Sequence, residues 1–85
     1  MPGDRPVRIL LHGIEGRMGR VVLAMAESMP DRTVVAAGMD WVLPTGPRSC
    51  PVFPDAALFQ ASGIAVDVVI EVVVFEIVPC LAGLR

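Results

Sequence analysis

The sequence is poor in the residues that usually carry metal and redox chemistry: its 85 residues include two cysteines and one histidine. Cys50 and Cys80 lie in different segments with no Cys or His companion nearby. The spacing of a zinc cluster or a disulfide framework is therefore missing, and both are read as small apolar core fillers. Such usage fits a reducing compartment, so a cytoplasmic protein is the default expectation. A basic stripe is missing too. The seven basic residues are arginines scattered from Arg5 to Arg85, under a net charge of -2, and nucleic acid is not expected as a partner. Long charge-free apolar runs are also lacking. Ile9-Leu10-Leu11 gives way to His12, Gly13 and Glu15 far short of a signal-peptide core. The stretch from Ile64 to Leu84 approaches the roughly 20 residues a bilayer demands. It contains Asp67, Glu71 and Glu76, however, and is interrupted by Pro79. An Asp near the centre of a membrane helix costs about 2.5 to 3.5 kcal/mol, so no membrane partner is expected.

What the chain does have is apolar surface to bury: a hydrophobic fraction of 54% and a mean hydropathy of +0.67. Its length lies below the roughly 100 to 150 residues of a usual domain, which predicts one small core and no second domain. Val7 to His12 is a short apolar run ended by Gly13, suited to a strand buried on both faces of a parallel sheet. From Gly16 the period changes. Met18, Val21, Val22, Met25 and Met29 fall at helical spacing along one face, and Pro30 stops the helix. Thr33 to Met39 reads as a second buried strand with Asp40 just past its end.

Prolines at 44, 47, 51 and 54 and Gly46 make Trp41 to Pro54 a loop, with at most a short edge strand from Cys50 to Phe53. Pro54 to Ala61 reads as a short helix, broken at Ser62-Gly63. Val66 to Val74 is crowded with β-branched residues and predicts a strand, and Phe75 to Leu84 then begins a third helix. Alternating strands and helices imply an α/β fold, a partial Rossmann-type βαβ unit with a mainly parallel sheet and flanking helices.

The Gly13-x-x-Gly16-x-x-Gly19 triplet follows a predicted strand and opens a predicted helix. There the backbone has to turn sharply and approach a pyrophosphate without Cβ atoms in the way. The helix N-terminus supplies unpaired N–H groups and a positive dipole end. Asp40 lies about 20 residues on, at the second strand's end, where a carboxylate accepts hydrogen bonds from an adenosine ribose. These features select Gly13, Ile14, Glu15, Gly16, Arg17, Met18, Gly19 and Asp40 as the candidate cofactor-binding residues. Glu15 carries a negative charge that opposes anion binding if it points inward.

At Gly16-Arg17-Met18-Gly19-Arg20 the chain resembles the N-terminal nucleotide-binding domain of dihydrodipicolinate reductase, also called 4-hydroxy-tetrahydrodipicolinate reductase. The likeness runs through Asp40 to Val66-Asp67-Val68-Val69-Ile70-Glu71. It implies an oxidoreductase of lysine biosynthesis, in the diaminopimelate pathway, that uses NADH or NADPH. It also implies that the loop glycines and Arg17 face the cofactor, that Asp40 holds the ribose, and that the fourth strand's end borders the nicotinamide. Where that family has an aromatic residue, a hydroxyl and a proline after the strand-end acid, this chain reads Glu71-Val72-Val73-Val74-Phe75-Glu76. The family's Gly-Thr-Thr-Gly segment and its later domain, with paired histidines, a lysine and Ser-Gly-Thr, have no counterpart up to Arg85.

Residues 1–85 are accordingly expected to be a truncated dinucleotide-binding domain, catalytically incomplete, with no catalytic residue. His12 is read as packed or solvated, and Asp67 and Glu71 as too separated on a strand to form a working carboxylate pair. NADH is expected to bind at least as well as NADPH, because Asp40 repels a 2′-phosphate and Trp41, not an arginine, follows it. Arg17 is the favoured compensating charge, and Arg48 reaches the site only if its loop folds inward. Two rivals remain. One is the N-terminal domain of another NAD(P)-dependent dehydrogenase. The other is a structural fragment that forms a homo-oligomer through an open sheet edge.

Overall fold

The computed structural model describes residues 5–42, 44 and 46–72. Strand β1 (Val7–His12) leads into helix α1 (Arg17–Glu27), then strand β2 (Thr33–Met39), strand β3 (Val52–Phe53), helix α2 (Ala56–Ser62) and strand β4 (Val68–Glu71). The four strands form one sheet in the order β3-β2-β1-β4, and every pairing is parallel. The chain thus lays strands outward from β1 to β3, then crosses back to pair β4 against the other side of β1. This reversal is the kind of switch point whose carboxyl-end crevice receives ligands in open α/β sheets.

β1 sits at the centre because its residues are apolar on both faces. Ile9, Leu10 and Leu11 are all buried. Alternation sends Ile9 and Leu11 to one face, where they join Ile14, Ala26, Val35 and Cys50 in the core. Leu10 goes to the other face, opposite its register partner Ala37, which is fully buried. The β1–β2 register shifts between Ile9 and Leu10, so that Ile9 pairs with Val35 and Leu10 with Ala37.

α1 has the expected helical period but buries a different face. Met18, Val21, Met25 and Met29 are exposed, while Gly19 and Ala26 are buried and Val22 and Leu23 pack partly against the core. The reason is steric. A Cβ built on Gly19 would overlap the Gly13 carbonyl oxygen and lie 2.8 Å from Ile14 Cα, so the helix seats closest where its side chains are smallest. It ends at Glu27, before Pro30, with the Ser28 N–H bonding the Ala24 carbonyl and the Ser28 hydroxyl donating to the Met25 carbonyl.

The remaining elements follow local chemistry. The Asp55 carboxylate caps α2 by accepting from the Leu58 N–H at 2.8 Å. Gly63, at φ 76°, closes the helix in the left-handed conformation. Phe53 and Phe59 meet edge to face at 5.9 Å and hold α2 beside β3. The strand expected over Val66 to Val74 is shorter among the described residues, because Val66 and Asp67 precede it. Its residues 73 and 74, the helix expected over Phe75 to Leu84, and Cys80 lie outside them. Among the described residues no helix is long and apolar enough to cross a membrane.

Candidate functional site: a cleft at the carboxyl ends of β1, β2 and β4

The loop after β1 divides its work among three glycines. Gly13 adopts φ 90°, a left-handed conformation that a side chain resists, and its N–H bonds the Met39 carbonyl at 2.7 Å. Gly16 caps α1, and a Cβ there would meet only the Gly13 carbonyl oxygen at 3.5 Å, an ordinary contact. Space therefore remains over the loop for a ligand to approach the backbone. Gly19 permits the close seating of helix on strand. Tight turn, open approach and helix–strand contact are the roles that dinucleotide-binding glycines perform.

Between the first two glycines, Ile14 plunges into the core and is 1% exposed. A Cβ on Gly38 would come within 2.6 Å of its Cδ1, so β2 leaves a gap for this side chain. Ile14 therefore anchors the loop from beneath. Met18 is exposed on α1 and Gly19 is buried under it, and neither lines the cleft.

The cleft itself, about 980 Å³, is lined by Gly13, Glu15, Gly16, Arg17 and Asp40. That volume lies within the roughly 300 to 1,000 Å³ of small-molecule sites. Further lining comes from His12, Arg20, Trp41, Val42, Pro54 and Val72. Arg20 and Trp41 were not singled out by sequence reasoning as contacts. Their signal was available, because Arg20 lies one turn after Gly16 and Trp41 directly follows the strand-end acid.

Asp40 is tied to the loop through the backbone. One carboxylate oxygen accepts the Glu15 N–H at 3.0 Å, and the other accepts the Val42 N–H at 3.1 Å. This links β2's end to the glycine turn, 25 residues earlier in sequence. The Glu15 side chain follows a separate path. Arg48 grips its carboxylate from Nε at 2.8 Å and from the terminal nitrogen at 2.6 Å. Only 9% of the Glu15 side chain is exposed. The Arg48 hydrogen bonds hold the Glu15 carboxyl below its usual range, and the charges of Arg48 and Arg20 add to this. The Pro-rich loop does fold inward, and the arginine it delivers neutralises the one acidic side chain of the glycine turn.

α1 begins against electrostatic preference. Its N-cap, Gly16, has no side chain to cap it, its first turn holds no acid, and its last turn holds no base. The first turn instead carries Arg17 and Arg20, next to the positive end of the helix dipole. A bound anion would relieve this arrangement.

Other candidate groups are dispersed. His12 and Glu71 end adjacent strands in register, with Nδ1 and Oε2 3.2 Å apart. Asp67 sits at the opposite end of β4, where the Arg8 backbone N–H (2.9 Å) and guanidinium (3.0 Å) bind its carboxylate. The two acids therefore belong to separate ion pairs at opposite ends of one strand. Burial, with the fields of Glu27 and Glu15, pushes the Cys50 thiol up, which agrees with a core filler. Among the described residues no group of His, Cys, Asp or Glu is arranged to hold a metal ion.

Comparison of the chain with protein-family models, with curated proteins and with solved structures returned no match. The functional reading therefore rests on the cleft itself.

Proposed function

We propose that the chain is the NAD(P)-binding portion of an oxidoreductase resembling 4-hydroxy-tetrahydrodipicolinate reductase, and that it holds the adenosine-diphosphate part of NADH or NADPH. The observation that carries this reading is the hydrogen bond from the Glu15 N–H to Asp40, which holds a carboxylate against a glycine turn at the sheet's switch point and so supports a ribose-binding role for it. The pyrophosphate would lie over Gly16 and the first turn of α1, where N–H groups, Arg17 and Arg20 supply positive potential. The ribose would meet Asp40. The cofactor carries a hydride on its nicotinamide. The groups that would position a substrate and move its protons belong to segments that the resembling family has after this one.

Thermal unfolding with and without NADH tests the reading. A ligand present at a hundredfold its Kd stabilises the folded state by about 2.7 kcal/mol, which raises the Tm of a chain this size by roughly 10 °C or more. An unchanged Tm at that excess contradicts cofactor binding.

One observation favours a second reading, a fragment that associates with its own copies. β4 pairs with β1 on one side only among the described residues, and Val68 and Val69 are exposed on it. Association that persists in NADH-saturated protein and is lost on Val69→Lys would support it.

A further inference from the structure

Trp41 is 88% exposed, the most exposed of the large apolar side chains in the described structure. An indole normally finds burial, and here it stands in water at the rim of the cleft. Its setting is fixed at both ends. Asp40, immediately before it, bonds the Glu15 N–H with one carboxylate oxygen and the Val42 N–H, immediately after it, with the other. Trp41 is thus the middle residue of a turn closed by a side chain whose second oxygen is attached to the glycine loop. The backbone that carries the ring is tied to the glycine loop through these two bonds. Val42 (62% exposed) and Pro54 continue the same rim, so this end of the cleft is apolar whereas the Arg17–Arg20 end is cationic.

A ligand that fits both ends has an anionic middle and a flat aromatic terminus beside its ribose. We propose that Trp41 is the stacking face for the aromatic base of the nucleotide whose ribose Asp40 holds. The inference rests on the dinucleotide reading and adds a specificity-determining residue to it. Stacking of a base on an aromatic side chain is tolerant of base identity, because every base presents a π-face. The preference created is for a nucleoside end over a bare sugar phosphate, not for adenine over guanine.

The chain has one Trp and no Tyr, so its indole emission reports on residue 41 alone. ADP-ribose and ribose 5-phosphate are titrated into the full chain, with heat and Trp emission read in parallel, and the ADP-ribose titration is repeated on Trp41→Ala and Trp41→Phe. The expected result is quenching by ADP-ribose, at least tenfold weaker binding of ribose 5-phosphate, a loss of roughly tenfold in ADP-ribose affinity for Trp41→Ala, and near-complete retention for Trp41→Phe. Binding heat with unchanged emission, and with Trp41→Ala within twofold of the parent, overturns the stacking role and leaves the dinucleotide reading standing. No heat with either ligand overturns both.

Discussion

Arg48 and Glu15 form a two-point ion pair, at 2.8 and 2.6 Å, across 33 residues of sequence. A carboxylate in the middle of a turn proposed to bind phosphate should repel that ligand. With a guanidinium bonded to both of its oxygens, it presents no net charge to a ligand. The Pro-rich loop therefore contributes to the electrostatics of the glycine turn while none of its own backbone belongs to the glycine motif.

Removing Arg48 is accordingly expected to weaken NADH binding even though Arg48 need not touch the ligand. Arg48→Ala leaves the Glu15 charge uncompensated beside the turn and is expected to reduce affinity by about 1 kcal/mol, several-fold to tenfold. Glu15→Gln combined with Arg48→Ala is expected to recover most of that loss. Calorimetric titration of the two single variants and the double variant checks the sign of the coupling, and additive effects would remove the ion pair from the argument.

Gly16 and Gly19 are expected to fail in different ways. Gly16→Val projects a branched side chain into the approach to the loop while its only near protein neighbour lies at 3.5 Å, so folding is kept and NADH binding is abolished. Gly19→Ala overlaps the Gly13 carbonyl and is expected to cost about 1 to 3 kcal/mol of stability, as overpacking does. Denaturant midpoints and NADH titrations on both variants separate the two effects. A folded Gly16→Val protein with parental affinity takes the loop out of the mechanism.

Cofactor preference is expected to run toward NADH by a margin of order 1 kcal/mol, or at least to parity with NADPH. Asp40 repels a 2′-phosphate, and Arg48, the second candidate after Arg17 to offset that repulsion, is engaged with Glu15 instead. Arg17 and Arg20 remain at the phosphate end. Paired titrations at one ionic strength decide the matter; clearly tighter NADPH binding that Arg48→Ala abolishes would reverse the assignment.

Acid is expected to loosen the sheet at the end away from the cleft. Hydrogen bonds from the Arg8 side chain, then its backbone N–H, lower the Asp67 pKa from 3.8 to about 2. A folded-state value below the unfolded one means that the contribution is fully present above about 3.8 and is lost as pH falls through about 2. Asp67→Asn is expected to flatten the dependence of Tm on pH in that window and to leave NADH affinity at neutral pH unchanged. An unaltered pH profile in the variant would show that Asp67 is not the group titrating.

The pure 85-residue chain is expected to show no substrate-dependent oxidation of NADH, since binding a cofactor does not orient a substrate or move its protons. His12 and Glu71 lie 3.2 Å apart at the cleft's edge and are the pair to replace first if turnover above a no-protein control is seen.

How far the sequence led can be traced residue by residue. β1 and β2 were readable to their ends because each is a nearly continuous apolar run bounded by punctuating residues. α1 was readable in period but not in phase: residues 19, 22, 23 and 26 recur at helical spacing as well as 18, 21, 25 and 29 do. Only the approach of Gly19 to Gly13 decides which set faces the sheet. Ile14 lay within the motif and was grouped with the ligand contacts, yet its side chain is core; the clue was Gly38, whose missing Cβ makes the room. The Arg48–Glu15 pair had no local signature, since it depends on how a loop with four prolines closes. Asp40 was legible as an acid at the end of β2 about 20 residues past the glycine turn, but its bond to the Glu15 N–H is a tertiary fact.

The plug that Ile14 makes beneath Gly38 also bears on how fast a ligand is captured. A glycine-rich turn free in water would sample many shapes, and a nucleotide would have to wait for, and then hold, the one that fits. Here the turn is already set before any ligand arrives, because its second residue is wedged in the interior and its third is fastened to Asp40. Little ordering entropy remains to be lost on association. Under the proposed cofactor reading, capture is expected to be governed by diffusion and charge rather than by loop closure, with a rate that tracks ionic strength. It also means that a single methyl group placed at Gly38, on the interior side of the sheet, would push on Ile14 and so be felt in the glycine turn, where the proposed phosphates would lie.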